Sequence, residues 1–326
     1  MIDVFFNRKY CELYEVADIE VCNEFVFNSE YGTVKNLHLI RKIPTRINNE
    51  QYFDTITPYG YGGPYITDTK DIKKLTNGYN LAWKSYCAEH NIVSEFIRFH
   101  LFDNEEIRHN INAEVCFISN NIVVDTTIPM EEAWLNFEHK VRKNVKKAHT
   151  NNLTVIHDDT GKELDNFLEI YYSTMERNNA SDYYYFDREY FEKINRGLKG
   201  SYVYFHTVLD GEIISTELVL CSEKYAYSFL GGTKSEYYDL RPNDLLKYDI
   251  ISWCNESGKE KFILGGGYHK DDGIYRYKKA FAPDGDVPFY IGKKIHNEKI
   301  YNALVGERKK ESSFDSESSF FPLYRL

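Results

Sequence analysis

Residues Gly265 to Phe281 read GGGYHKDDGIYRYKKAF. The stretch follows a short apolar run, Lys261-Phe262-Ile263-Leu264, that predicts a strand. Three glycines let the backbone turn or approach a ligand where a side chain would clash. Lys and Arg side chains in such a loop can hold phosphates or a developing negative charge. The loop therefore reads as a site at the end of a core strand, and its candidates are Tyr268, His269, Asp271, Asp272, Arg276, Lys278 and Lys279. On an extended chain the adjacent Lys278 and Lys279 point opposite ways. The acids and His269 can serve as bases or simply cap and solvate a turn.

Composition bounds the answer. With 326 residues the chain has room for two domains. A net charge of −10 argues against a general nucleic-acid coat protein, which works by phosphate neutralisation, but leaves room for a local basic patch. There is no leader at the start of the sequence and no run near the ~20 apolar residues of a membrane span, so a cytoplasmic protein without membrane insertion is expected. The six cysteines are scattered without a Cys-x-x-Cys, so no metal is expected and the thiols read as reduced.

Outward from the loop, strands are predicted at 35–42, 51–57, 94–101, 113–119, 121–126, 153–157, 201–209, 212–222 and 224–230, with an Asn-Asn turn between 119 and 121. Helices are predicted at 71–90, 131–151, 163–177, 187–198 and 242–254. A Gly231-Gly232 break leads into the last of these. Two strand–helix–strand stretches run parallel, with Cys87 and Cys254 at matching places, as in a duplicated α/β unit. The final FFPLYRL can dock back on the surface.

Two further constellations carry charge. The helix over 131–151 places Lys140, Lys143 and Lys147 along one line, and Arg142 and Lys146 along another. Such a run is ordinarily a solvated face, but few acids interleave here in an otherwise acidic chain, which sets phosphate binding beside that reading. Gly231 and Gly232, followed by Arg241-Pro242-Asn243, can be stop-and-go chemistry at a helix start, or can offer backbone N–H groups and a guanidinium to a pyrophosphate. Arg177 and Asn178 end a helix and can present polar groups to a substrate, or cap it. Glu217 sits in an apolar strand, where an unpaired carboxylate is costly.

In order, the segments VRKNVKKA (141–148), IYYSTMERNNASDYYYF (170–186), RPNDLLKYDIISW (241–253), FILGGG (262–267) and GIYRYKKAF (273–281) resemble the Fem-type transferases (FemAB/FemX) and proteins with a BioF2-like acetyltransferase domain, within the GNAT superfamily. The TPYGYGGP loop at 57–64, with Tyr59 and Tyr61, is also typical of that group. The resemblance implies an α/β fold of tandem GNAT-like subdomains, each a mixed, mostly antiparallel sheet flanked by helices, with a cleft between them. Expected bounds are 1–130, 131–295 and a C-terminal helix with a tail at 296–326.

It further implies an acyltransferase that forms an amide on an amine of a cell-envelope or sugar/peptide precursor. The donor is acyl-CoA (acetyl-CoA) or aminoacyl-tRNA, with tRNA then a partner. A peptidoglycan-bridge aminoacyltransferase and a non-catalytic glycan- or nucleotide-binding module are the alternatives. Lys278 and Lys279 match the family's Tyr-Lys-Lys motif and, with Asp272, are the expected catalytic residues. Gly231, Gly232, Arg241 and Asn243 are expected on the donor. Tyr59, Tyr61, Arg177, Asn178, Lys143, Lys147, Tyr268, His269 and Arg276 are expected on the substrate. The Gln/Arg-x-x-Gly-x-Gly/Ala pyrophosphate loop is absent, with GGTKSEYYDLRPND in its place, which counts against acetyl-CoA. The family's Lys-Lys-Gly-Phe-Gly is Lys-Lys-Ala-Phe-Ala here, with Ala280 and Ala282.

Overall fold

Helix α1 (Arg8–Cys11) starts where the Asn7 side chain accepts a hydrogen bond from Lys9 N, an ordinary N-cap. Strands β1 (Glu20–Ser29) and β2 (Gly32–Lys42) then pair as an antiparallel hairpin. At its tip Gly32 takes φ +134°, and a Cβ there would run into the Asp68 backbone. Next come β3 (Phe53–Ile56), β4 (Tyr65–Thr69), α2 (Ile72–Glu89), β5 (Ile92–Arg98) and the short α3 (Glu105–Arg108). Asp71 caps α2 through Lys74 N at 3.1 Å. Leu75, Tyr79, Trp83 and Cys87 lie four apart and are buried with Val34, Ile92 and Ile107. The coordinates are a computed structural model describing residues 2–267, 269, 272–311, 314–315 and 317–326.

Strand β6 (Glu114–Asp125) is continuous. The expected Asn-Asn turn does not form, because residues 122–125 pair antiparallel with the segment 261–265 and hold the chain extended. The expected single helix over 131–151 is two, α4 (Met130–Asn136) and α5 (His139–Thr150). Phe137 and Glu138 between them have ψ of 146° and 150°. Phe137 enters the core and Glu138 N donates to Ala280 O at 2.9 Å, while Arg142 closes the α4 terminus through Leu135 O and Phe137 O. Then follow β7 (Thr154–Asp158), α6 (Leu164–Arg177), α7 (Arg188–Gly197), β8 (Tyr202–Leu209), β9 (Glu212–Cys221), β10 (Tyr225–Thr233), α8 (Pro242–Glu256), β11 (Lys261–Gly265) and α9 (Gly273–Lys279). Gly231 and Gly232 do not break β10; they lie inside it, just before its last residue, Thr233. Within the loop expected at 265–281, α9 is a helical turn capped by Asp272.

The chain ends with β12 (Asp286–Ile295) and α10 (Glu298–Arg308). It divides into two compact units, Phe5–Ile118 with Pro288–Leu326, and Met1–Val4 with Ser119–Val287. In the first unit the strands run β1-β2-β3-β5-β12, with β4 on β2; β3 and β5 are parallel and α2 lies between them in sequence. In the second they run β6-β11-β10-β9-β8-β7, with β10 and β11 parallel around α8. Both units are mixed, mostly antiparallel sheets flanked by helices, as expected. Alternation along β8 sorts the second core. Val203 and Phe205 pack with the apolar faces of α5 and α8, while Tyr204 meets Phe167 of α6.

In the first unit the last residues do dock back, and Tyr324 is buried there. Tyr324 hydroxyl bonds Asp54 at 3.0 Å and Ser94 at 2.7 Å, and Arg325 pairs with Asp54 at 2.5 Å.

Candidate active site

The second unit opens where two parallel strands part. β10 pairs with β11 only over Tyr225–Tyr227 against Lys261–Ile263, yet β10 continues to Thr233. From Ser228 onward its far edge has no β11 partner, and a bulge between Ser228 and Leu230 bends it. A cavity of 550 Å³ lies there, and Arg177, Asn178, Glu217, Arg241, Asp244 and Lys278 are among the residues lining it.

Each wall has a local cause. Gly232 lets α6 sit on the sheet, since a Cβ there would collide with Thr174 Oγ1 and come within 2.9 Å of Ile170 O. Gly231 likewise has no room beside the Thr216 backbone. Both glycines line the cavity, and packing alone demands them. Arg241 holds a left-handed backbone, φ 64°, immediately before Pro242 at the start of α8. That conformation costs a non-glycine residue about 1–2 kcal/mol. Arg177 lies over the Tyr238 ring at 5.2 Å and reaches Thr174 Oγ1 at 3.3 Å.

On the remaining side α9 delivers Lys278, whose ammonium donates to Gly266 O at 2.7 Å. Gly265 turns the chain after β11 with φ +79°, the left-handed region that favours glycine. Burial, and then the nearby Lys247, pull the Lys278 pKa down to about 8, against the opposite pull of Glu217 and Asp272. Glu217 and Lys247 form a buried ion pair in the same wall, 4% and 5% exposed, and Lys247 also bonds Ser228 Oγ at 2.8 Å. Asp244, 8% exposed, accepts from Asn144 Nδ2 at 3.1 Å, and burial raises its carboxyl pKa. The Tyr277 hydroxyl is buried without a hydrogen-bond partner among the described residues.

Seven expected residues thus line one cavity: Gly231, Gly232, Arg241, Asn243, Arg177, Asn178 and Lys278. Others are elsewhere. Lys279 is ion-paired with Asp286, which also receives the Tyr275 hydroxyl, and is not among the lining residues. Adjacent residues on α9 are about 100° apart, so one lysine enters and its neighbour leaves. Asp272 takes Tyr275 N at 2.7 Å and His269 N at 3.0 Å, the geometry of a helix cap. His269 and Arg276 are exposed outside the lining. Lys143 and Lys147 are exposed on α5. Tyr59 and Tyr61 belong to the first unit; Tyr61 is buried against Phe5 and Phe289, and the Tyr59 carbonyl accepts the Tyr10 hydroxyl at 2.7 Å. Tyr268 and Asp271 lie outside the described residues.

Sequence reasoning singled out Glu217 without its partner and passed over Lys247, Asp244 and Tyr277. A signal existed for two of these: Asp244 and Lys247 are three apart and so share a helix face.

Residues 136–279 match the acetyltransferase (GNAT) domain family. The UDP-N-acetylmuramoylpentapeptide-lysine N(6)-alanyltransferase of Weissella viridescens is 24% identical over 193 residues, 57% of this chain and 56% of that protein. The match therefore spans little more than half of that relative. Among solved structures, FemX superposes with a TM-score of 0.72 at 16% identity, covering 92% of this chain and 94% of its own. The C-terminal domain of a putative lysylphosphatidylglycerol synthetase from Agrobacterium fabrum gives 0.56 at 14% identity, covering 85% and 84%. The chain is thus similar in sequence to a Fem-type transferase and shares the FemX fold, and the residues lining the cavity fall within the matched GNAT segment.

Proposed function

We propose, from a GNAT domain whose parted strands enclose a lysine-bearing cavity, that this chain is an acyltransferase that moves an aminoacyl group from tRNA onto an amine of a peptidoglycan precursor. The observation that carries the reading is Lys278, an ammonium inside the cavity beside the unpaired edge of β10. The name of the Weissella relative supports the choice of acceptor and acyl group.

The chemistry follows from the wall. A neutral amine attacks the ester carbonyl carbon, and the carbonyl oxygen becomes an alkoxide that needs donors. Lys278 supplies a cation there, and the N-terminal turn of α8 adds backbone N–H groups. Collapse forms the amide bond and breaks the ester C–O bond. The proton leaving the amine is returned to the departing ribose oxygen. Arg177 and Arg241 at the cavity suit phosphate or carboxylate groups of either substrate. The exposed Lys143 and Lys147 suit an RNA backbone. Because Gly231 and Gly232 answer to packing, they are no evidence for a CoA pyrophosphate.

The test is amide formation, read by mass spectrometry, with aminoacyl-tRNA or acetyl-CoA as donor and a UDP-linked muramyl pentapeptide as acceptor. Lys278→Ala should lower kcat/KM by about 10²–10³, the usual effect of removing one oxyanion donor, while the unfolding midpoint stays. Full turnover in that variant overturns the role of Lys278. Turnover with acetyl-CoA alone overturns the donor.

A further inference from the structure

We infer that Asp244 receives a primary ammonium group of a substrate inside the cavity, on the reading of this cavity as the transfer site. The argument starts from which charges are already answered. Glu217 is neutralised by Lys247, which spends its remaining hydrogen bond on Ser228. Lys278 donates to Gly266 O, and Arg177 lies on Tyr238. Asp244 is different. It is more than nine-tenths buried, its side-chain partner is the neutral amide of Asn144, and the described residues give it no ion pair. A buried carboxylate without a counter-ion is expensive. Burial accordingly raises its carboxyl pKa, and the Asn144 bond, Arg241, its own backbone N–H and Lys140 oppose that without cancelling it.

A second group in the same wall points the same way. The Tyr277 hydroxyl is buried with no partner among the described residues and feels the charge of Asp244 first and of Glu217 next. One carboxylate and one hydroxyl oxygen match a monovalent cation that carries N–H donors. A divalent metal wants more oxygen ligands than these. A quaternary ammonium has no N–H to offer. A primary ammonium has three donors, enough for Asp244 and Tyr277 together.

Two sources bring such a group to the cavity: the α-amino group of an aminoacyl donor, and the acceptor amine before it loses its proton. In the first case Asp244 selects aminoacyl over plain acyl donors. In the second it holds the nucleophile and can take its proton. An acid in the first turn of α8 also suits the helix dipole, but that role is indifferent to what enters the cavity.

The experiment separates these without turnover. Four small probes are titrated by NMR into wild-type protein and Asp244→Asn, an isostere that keeps an acceptor for Asn144. The donor pair is 3′-alanylamido-3′-deoxyadenosine and its lactoyl counterpart, with hydroxyl in place of amine. The acceptor pair is Nα-acetyl-lysine amide and its Nε-acetylated form. In one pair the wild type should prefer the amine by about tenfold or more, the worth of a charged hydrogen bond, and Asp244→Asn should lose that preference. The pair that responds identifies the source. Wild-type protein alone gives a second reading. The preference should fade as pH falls and Asp244 protonates, at a higher pH than an ordinary aspartate, with Arg241, Lys140, Glu217, Lys247 and Tyr277 as the other charged or titratable neighbours. If neither amine is preferred, or if Asp244→Asn keeps the preference, the inference is overturned. A chain that forms no amide at all would sink the proposed activity and leave this binding result standing.

Discussion

At Lys278, opposing fields act on one ammonium. Burial and Lys247 favour the neutral amine, Glu217 and Asp272 favour the cation, and the pKa comes out at about 8. A lysine with a depressed pKa is cationic below that value and loses its charge as pH rises through it. If the cation stabilises the alkoxide, kcat/KM should fall above pH 8 in the wild type. Lys278→Arg keeps a guanidinium that does not titrate in this range, so the surviving activity should lack the alkaline limb. A profile measured from pH 6 to 10 that is identical in both proteins assigns the limb to another group. Lys279 has no part in this, since Asp286 holds it. The two lysines were equivalent as letters in a sequence, and became distinct only when α9 wound them to different sides.

At the scale of elements, α9 shows how a cap can resemble a catalyst. Asp272 stands in a glycine-rich, basic loop, where a carboxylate reads as a base. Its oxygens instead take the backbone N–H groups of Tyr275 and His269. Asp272→Ala should cost about 1 kcal/mol, as lost N-caps do, lowering Tm by about 1–2 °C in a chain of this size. Asp272→Ser should restore most of that stability. The kcat/KM of Asp272→Ala should stay within about tenfold of wild type, above the 10²-fold loss expected of a group in the chemistry. A loss as large as that of Lys278→Ala would return Asp272 to the reaction. The neighbouring elements carry the same lesson. The spacing of Trp134, Phe137, Val141 and Val145 is helical throughout, and nothing local announces that Phe137 and Glu138 leave the helix. Glu138 N is drawn off by Ala280 O, which lies more than a hundred residues away in sequence.

Across the whole chain, the same arrangement occurs in each unit: a parallel strand pair with one long helix between them in sequence, β3 and β5 around α2, β10 and β11 around α8. Cys87 and Cys254 are both fully buried near the ends of those helices. In the first unit the C-terminal residues are part of the core: Asp54, 1% exposed, is held by Arg41, Arg325 and Tyr324. Asp54→Asn leaves both guanidinium groups without their carboxylate and should destabilise that unit by about 3 kcal/mol or more, read as a lower denaturant midpoint. A change under half that would mean the tail contributes little. The sequence by itself determined much of the element order, through apolar periodicity and turn residues, though not β1, β4 or β12, and the segment that bears the site, through its ordered motifs. Tertiary structure alone decided which groups share the cavity. Rotation about α9 admits Lys278 and excludes Lys279, close packing of α6 on β10 demands Gly232, and the backbone of the neighbouring β9 demands Gly231. The pairing of Glu217 with Lys247 joins residues thirty apart, and burial is a property that no local pattern carries.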